Sequence, residues 1–262
     1  MRTVKLTIAY DGTGYAGWQV QPDRDTVQSV LEGGIEKITG ESVRVLASGR
    51  TDAGVHAAGQ VVGFQTGTHL TPEVLARALN AVLPDDIAVL DASEVAAGFH
   101  PIRDAVKKRY RYTIFNRSVR DVFHRRYCWH YYAQTLDVEA MDRAAQSLRG
   151  THDFSSFETA GAPRESSVRT ISDIFVRRVS SVDPMSSDVV PAISNGDFIM
   201  IEVEADGFLY NMVRAIVGSL VEIGRGAQPE SWLTEVLAAT DRRRAGPTAP
   251  PEGLCLMHVD YA

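Results

Sequence analysis

Residues Ser48-Gly49-Arg50-Thr51-Asp52-Ala53-Gly54-Val55-His56 put a guanidinium, a carboxylate and an imidazole into one short polar stretch. An apolar run over 43–47 leads in and another over 61–64 leads out. Short apolar runs bounded by turn-forming residues read as strands, so the polar stretch is the loop joining them. Functional side chains concentrate on loops carried by a rigid sheet. The glycines of the stretch admit left-handed backbone and the close approach of another molecule. Asp and Gly also build ordinary turns. A turn, however, needs one Gly and one Asx residue, whereas this loop adds Arg and His.

The rest of the chain frames that loop. Residues 3–10 alternate, with Val4, Leu6, Ile8 and Tyr10 on one face of a half-buried strand that ends at Asp11-Gly12-Thr13-Gly14. Trp18 follows in a polar setting, where it either caps the core or meets a substrate. A helix begins at Asp25 or Thr26, buries Val27, Val30, Leu31, Ile35 and Ile38, and stops at Gly40. A second helix has Thr71 as N-cap and Pro72 at its first position. A short strand over 87–90 completes the order β-α-β-β-α-β, which resembles a ferredoxin-like unit.

The second half opens with a long strand over 104–116, and 127–132 continues the sheet. A helix runs from Asp137 to Leu148, closed by Gly150, and a polar loop covers 152–157. Paired strands over 168–179 and 198–205 follow. The segment 180–196 between them, rich in Ser, Pro and Asp, is a flexible connection. Helices over 208–223 and from Pro229, and a last strand from Leu254, end the chain. The expectation is a mixed α+β fold of two domains, 1–103 and 104–262. The second repeats the elements of the first, with helices packed on one continuous, mainly antiparallel sheet.

The net charge of −6 argues against a nucleic-acid partner only until its distribution is considered. Residues 103–126 hold nine cations and two anions, a local charge of +7, interleaved with Tyr110, Tyr112, Phe115 and Phe123. That combination suits phosphate contact with base stacking, although a solvated charged face has the same composition.

Several chemistries are excluded by pattern. The seven histidines form no HExxH, and Cys128 and Cys255 share no metal-ligand spacing, so no metal is expected. There is no GxSxG elbow, no P-loop and no complete GxGxxG. The N-terminal MRTVKLTIAYDG lacks an apolar signal region, and no apolar run reaches membrane-span length. Cysteines of such a chain are ordinarily reduced, and a cytoplasmic location is expected. What remains is a lone carboxylate, Asp52, in a Gly-rich loop. Such a group serves as nucleophile or general base.

The string GRTDAGVHAAGQV resembles the active-site motif of the tRNA pseudouridine synthase A family. Four further segments fit the family in order: Tyr10-Asp11-Gly12-Thr13-Gly14-Tyr15-Ala16-Gly17-Trp18-Gln19, Lys108-Arg109-Tyr110-Arg111-Tyr112, Asn211-Met212-Val213-Arg214-Ala215-Ile216-Val217-Gly218 and Glu252-Gly253-Leu254. The resemblance implies the pseudouridine synthase fold, with a basic cleft between its halves. It also implies isomerisation of uridine to pseudouridine at positions 38 to 40 of the tRNA anticodon stem-loop, with no cofactor.

In that reading Asp52 is the catalytic carboxylate, acting by covalent attack at C1′ or by removal of the ribose 2′ proton. Arg214 is its basic partner, Tyr110 stacks on the flipped uracil with its hydroxyl assisting proton removal from C5, and Leu254 walls the base. Arg50 holds the loop or a phosphate, Lys107, Lys108, Arg109, Arg111 and the Arg242–Arg244 stretch contact phosphates, and the partners are tRNA and a second copy in a homodimer. Two departures stand out: the long 180–196 connection, and Phe99-His100-Pro101-Ile102-Arg103, where the family's arginine is shifted by one. A non-catalytic RNA-binding module, or a synthase for other RNA positions, is the competing reading.

Overall fold

Strand β1 (Arg2–Tyr10) buries Val4, Leu6 and Ile8 completely, the face its alternation marks as internal. It lies antiparallel between β3 (His56–Thr66) and β4 (Ile87–Val95). Strand β2 is short (Leu46–Ala47) and pairs with Gly63 and Val62 of β3. The order β4-β1-β3, with β2 also on β3, is that of a ferredoxin-like sheet. This computed structural model describes residues 1–159, 166–180 and 197–262. The expected connection at 180–196 therefore lies, apart from Ser180, outside the described residues.

The helices of this part form where capping chemistry places them. Thr26 accepts a hydrogen bond from Ser29 N–H and Ser29 Oγ accepts one from Thr26 N–H, a capping box that opens α1 (Val27–Thr39). Gly40, at φ 73°, closes it. Thr71 caps α2 (Pro72–Asn80), which lies against β4. Leu31, Ile35, Leu75 and Leu79 are wholly buried. Each such side chain contributes about 1.5–3 kcal/mol relative to exposure.

The chain divides into two units, Met1–Val106 with Leu256–Ala262, and Lys107–Cys255. The expected second domain, 104–262, thus loses its last strand. Most of β10 (Leu254–Tyr261) belongs to the first unit, where it neighbours β3. Sequence order misleads here because strand pairing, not chain proximity, decides membership.

In the second unit the sheet order is β5-β9-β8-β7, built from Ala105–Phe115, Phe198–Ala205, Val168–Val179 and Gly150–Asp153. A two-residue β6 (Trp129–His130) pairs parallel with β5, whereas the β5-β9, β9-β8 and β8-β7 pairs are antiparallel. Helix α3 (Val138–Ala145) packs on α4 (Met212–Gly224), on α5 (Trp232–Ala239) and on β8. The succession β5-α3-β8-β9-α4 repeats β1-α1-β2-β3-α2, and β5-β9-β8 repeats the neighbourhood β1-β3-β2.

Two local expectations differ from the structure, and an alternative left open at Trp18 is decided by it. Residues 150–153 form a strand rather than part of a loop, because backbone pairing with β8 outweighs their polar composition. Helix α5 starts at Trp232, with Pro229 accepting from Trp232 N–H in the preceding turn instead of occupying the first helical position. Trp18 is 3% exposed and packs beside Tyr10, ring centroids 6.3 Å apart, so it caps the core. Among the described residues the fold has ten strands and five α-helices, a mixed α+β architecture, and no helix long and apolar enough to cross a membrane.

Candidate active site

Asp52 sits in the loop between β2 and β3, and its neighbours on both sides are fixed. Ser48 N–H donates to Val61 O at 2.8 Å, extending the pairing by one residue beyond β2. The wholly buried Gln60 accepts from Ser48 Oγ at 2.6 Å and donates to Gly49 O at 2.8 Å. A single β3 side chain therefore holds the start of the loop. Thr51 is held twice, by Trp18 N–H on its carbonyl at 2.9 Å and by a 2.8 Å bond between its hydroxyl and that of Tyr10. Val55 N–H closes a turn onto Asp52 O at 3.1 Å, with Gly54 at φ 78°.

The loop rests on the 11–18 segment so closely that two glycines are obligatory. A Cβ on Gly12 would lie 2.0 Å from Val55 O. One on Gly17 would lie 2.8 Å from Thr51 O and 3.1 Å from Ala53 N, and Gly17 has φ 92°, which L side chains rarely adopt. Gly12 N–H donates to His56 Nδ1 at 3.0 Å, and Asp11 Oδ1 is 3.2 Å from the same nitrogen. His56 is thus a buried tie between the two segments. Asp52 itself is half-buried and Arg50 is exposed. The backbone position of the carboxylate is fixed while the residue keeps access to solvent, the preorganisation a catalytic group requires.

The second unit carries the other expected residues. Tyr110 lies on β5 opposite Val203, is buried, and meets Phe208 edge-on with centroids 5.0 Å apart. Tyr112, on the same face, donates to Pro250 O at 2.8 Å. Its ring lies on Gly253, where a Cβ would come within 2.6 Å. Leu254 follows directly and is buried. Arg214, half-buried in the first turn of α4, donates from Nε to Ala249 O at 2.7 Å and from a terminal nitrogen to Asn211 Oδ1 at 2.8 Å. Ala249 N–H returns a bond to Arg214 O at 3.0 Å. The 249–254 segment thus brings Arg214, Tyr112 and Leu254 into one framework.

The KKRYR strand has two different faces. On one, Arg111 donates from Nε to Glu202 Oε1 at 2.8 Å, Arg109 spans Glu202 and Glu204 at 2.9 Å each, and Lys107 reaches Glu204 at 3.0 Å. Burial pushes the Glu204 carboxyl up. Hydrogen bonds from Ser172, Lys107 and Arg109 outweigh this and hold it at about 2. Arg111, expected at RNA phosphates, is 3% exposed and committed to Glu202. It braces the sheet, because its cross-strand neighbour is a carboxylate that must be neutralised when buried. Lys108 shares the other face with Tyr110, and burial, then Arg169, lowers its ammonium to about 8.

Sequence reasoning assigned no role to Tyr10, Gly12, Gly17, Gln60 or Asn211, which position the loop and the arginine. Tyr10, Gly12 and Gly17 lie in the first matched motif and Gln60 lies in the Asp52 string, but nothing in one sequence tells a clamp from a core residue.

Residues 6–102 and 144–262 match the family described as tRNA pseudouridine synthase, and the chain belongs to that family. Among full-length relatives, it is 49% identical to tRNA pseudouridine synthase A of Moorella thermoacetica, with all of both chains covered. It is 45% identical to the protein of that name from Thermoanaerobacter sp., again over all of both chains. The Myxococcus xanthus tRNA pseudouridine synthase A is 46% identical, over all of this chain and 92% of that one.

Proposed function

We propose that this protein isomerises uridine to pseudouridine in tRNA, at positions 38 to 40 of the anticodon stem-loop, with Asp52 as the catalytic carboxylate. The observation that carries this reading is the loop itself. The residue before Asp52 is bonded through both hydroxyl and carbonyl, in a chain that matches the family over residues 6–102 and 144–262.

In the reaction the N1–C1′ bond breaks, the uracil turns while bound, C5 joins C1′, the C5 proton leaves and N1 takes up a proton. Atoms and electrons balance within the nucleotide, so no oxidant or energy source enters. Asp52 opens the sequence by attack at C1′ or by taking the 2′ proton. The target base must first leave its stack, which costs a few kcal/mol.

Tyr110, its ring held by Phe208, supplies the stacking surface, and Leu254 supplies the apolar wall. Arg214, held by Asn211 and Ala249, is the basic partner that the family resemblance gives Asp52. Exposed Arg50, together with Lys108, offers charge to phosphates, while Arg109 and Arg111 brace the sheet. A homodimer in the cytoplasm accompanies this reading, as the family resemblance implies.

Pseudouridine mapping along a tRNA transcript treated with the protein tests the proposal. Product confined to 38 to 40 supports it. Product elsewhere retains the chemistry and overturns the position. Tight binding without product on any tRNA establishes a binding module instead.

A further inference from the structure

The basic segment singled out in the sequence is two different surfaces in the structure. In its first part Lys107, Arg109 and Arg111 are matched by Glu202, Glu204 and Asp173. In its second part Arg117 pairs with Asp197, and the difference lies at Arg120 and Arg125. Arg117, Arg120, Arg125 and Arg126 are exposed, and among the described residues no carboxylate pairs with Arg120 or Arg125. Between them Phe123 is 87% exposed, flanked by exposed Val119 and Val122.

This projection is built rather than frayed. At its base Asn116 Nδ2 donates to the carbonyls of Tyr131 and Gln134, at 3.0 and 2.8 Å, and His130 Nε2 lies 2.8 Å from Arg117 O. Phe115, Cys128, Phe198 and Met200 pack together beneath it. Asp121 accepts from the N–H groups of Phe123 and His124 and touches His124 Nδ1 at 2.6 Å. The one carboxylate inside the loop is thus spent on shaping it. His124 turns inward, edge-on to Phe198 at 5.3 Å, which leaves its neighbour Phe123 outside.

An exposed aromatic ring between the guanidinium groups of Arg120 and Arg125 has the chemistry of a single-stranded nucleic-acid contact: cations for phosphates and a π-face for a base. A second copy of the chain fits less well. A two-fold contact sets the same patch against itself and would oppose the arginines of both copies. At about 3.3 Å per strand residue, β5 separates this loop from Tyr110 by about 20 Å, a span that only a macromolecular substrate bridges.

We propose that the 117–126 loop is a tRNA-gripping element outside the catalytic residues, with Arg120 and Arg125 on phosphates and Phe123 stacked on an unpaired base. This rests on the reading that tRNA is the substrate.

Equilibrium binding of a tRNA transcript, measured across a salt series for wild type, the double variant Arg120→Gln/Arg125→Gln, Phe123→Ala and Phe123→Trp, tests it. Sedimentation velocity and saturating-substrate turnover are measured on the same samples. The arginine variant is expected to bind at least tenfold more weakly. The slope of log affinity against log salt should flatten by about 1.4–1.8, the value for two lost phosphate contacts. Phe123→Ala is expected to weaken binding about 5- to 100-fold with little change in that slope, while Phe123→Trp binds as wild type. Turnover at saturation and sedimentation stay unchanged. Wild-type affinity in both loss variants overturns the inference. So does a change in sedimentation that accompanies the weakened binding, which would make this face a contact between copies. Absence of pseudouridine from wild type on any tRNA defeats the functional reading instead, whatever the variants do.

Discussion

The hydroxyls of Tyr10 and Thr51 lie 2.8 Å apart with both side chains buried, and they join the end of β1 to the residue that precedes Asp52. Neither residue offers a reacting group in the proposed chemistry; the pair sets where the carboxylate stands. Tyr10→Phe removes the bond and leaves the ring. It is expected to lower stability by about 1 kcal/mol, the net worth of a buried hydrogen bond. The turnover rate should fall more than tRNA affinity. Urea unfolding and single-turnover kinetics read the two effects, and unchanged turnover would show that the clamp is structural only.

Gly17→Ala meets both a forbidden conformation and a collision, since φ is 92° and the new Cβ would lie 2.8 Å from Thr51 O. Strain of this kind costs about 1–3 kcal/mol, and relief requires the Asp52 loop to move. Reduced stability together with nearly abolished activity is the expected result. Gly33→Ala, on open helix surface, is the control, because nothing lies near its Cβ. Its stability should equal or exceed that of wild type.

Glu202 neutralises Arg111 and one arm of Arg109. Glu202→Leu leaves a buried guanidinium without its partner and is expected to destabilise by about 3–5 kcal/mol. The double variant Arg111→Met/Glu202→Leu removes both charges and should recover most of that loss. Denaturant midpoints of the two variants decide the matter. A double variant no more stable than the single one would contradict the pairing.

Two groups make stability rise with pH, one at the acid end of the range and one at the alkaline end. The Glu204 carboxyl, at about 2 in the fold against 4.5 ordinarily, is deprotonated in the native state where the unfolded chain binds a proton. Its contribution is present above pH 4.5 and is lost as pH falls toward 2, an amount of about 2–3 kcal/mol. Lys108 acts at the alkaline end. Its ammonium is lowered to about 8 from 10.5, so the unfolded chain binds the proton more tightly between those values. Stability from this group therefore rises as pH climbs from 8 to 10.5. Urea midpoints across pH should show both slopes, and Lys108→Met should remove only the alkaline one.

Much of this was legible in the sequence because it rests on local chemistry. The Thr26 and Thr71 caps, the Gly40 stop and the alternation of Val4, Leu6 and Ile8 mark elements found where composition puts them. The paired strands over 168–179 and 198–205 are equally plain in their apolar runs. What escaped depends on partners distant in the chain. The 150–153 strand exists through pairing with β8, and the last strand joins the first unit beside β3. The neutralisation of Arg109 and Arg111 also came from elsewhere, because Glu202 and Glu204 lie some ninety residues on, opposite them across the sheet. A count of charges over 103–126 could not separate the balanced half from the exposed one. Trp18, polar in its sequence setting, is buried because Tyr10 packs beside it.

The central claim is that Asp52 does the chemistry while the rest of the fold holds it and the RNA in place. Asp52→Asn preserves size and shape and removes the charge. The most direct measurement is pseudouridine formation on a tRNA transcript by wild type and Asp52→Asn, with tRNA affinity determined in parallel. Equal affinity and product from wild type alone are the expected result. Product from Asp52→Asn at a rate comparable to wild type would contradict it and return Asp52 to the role of a turn residue.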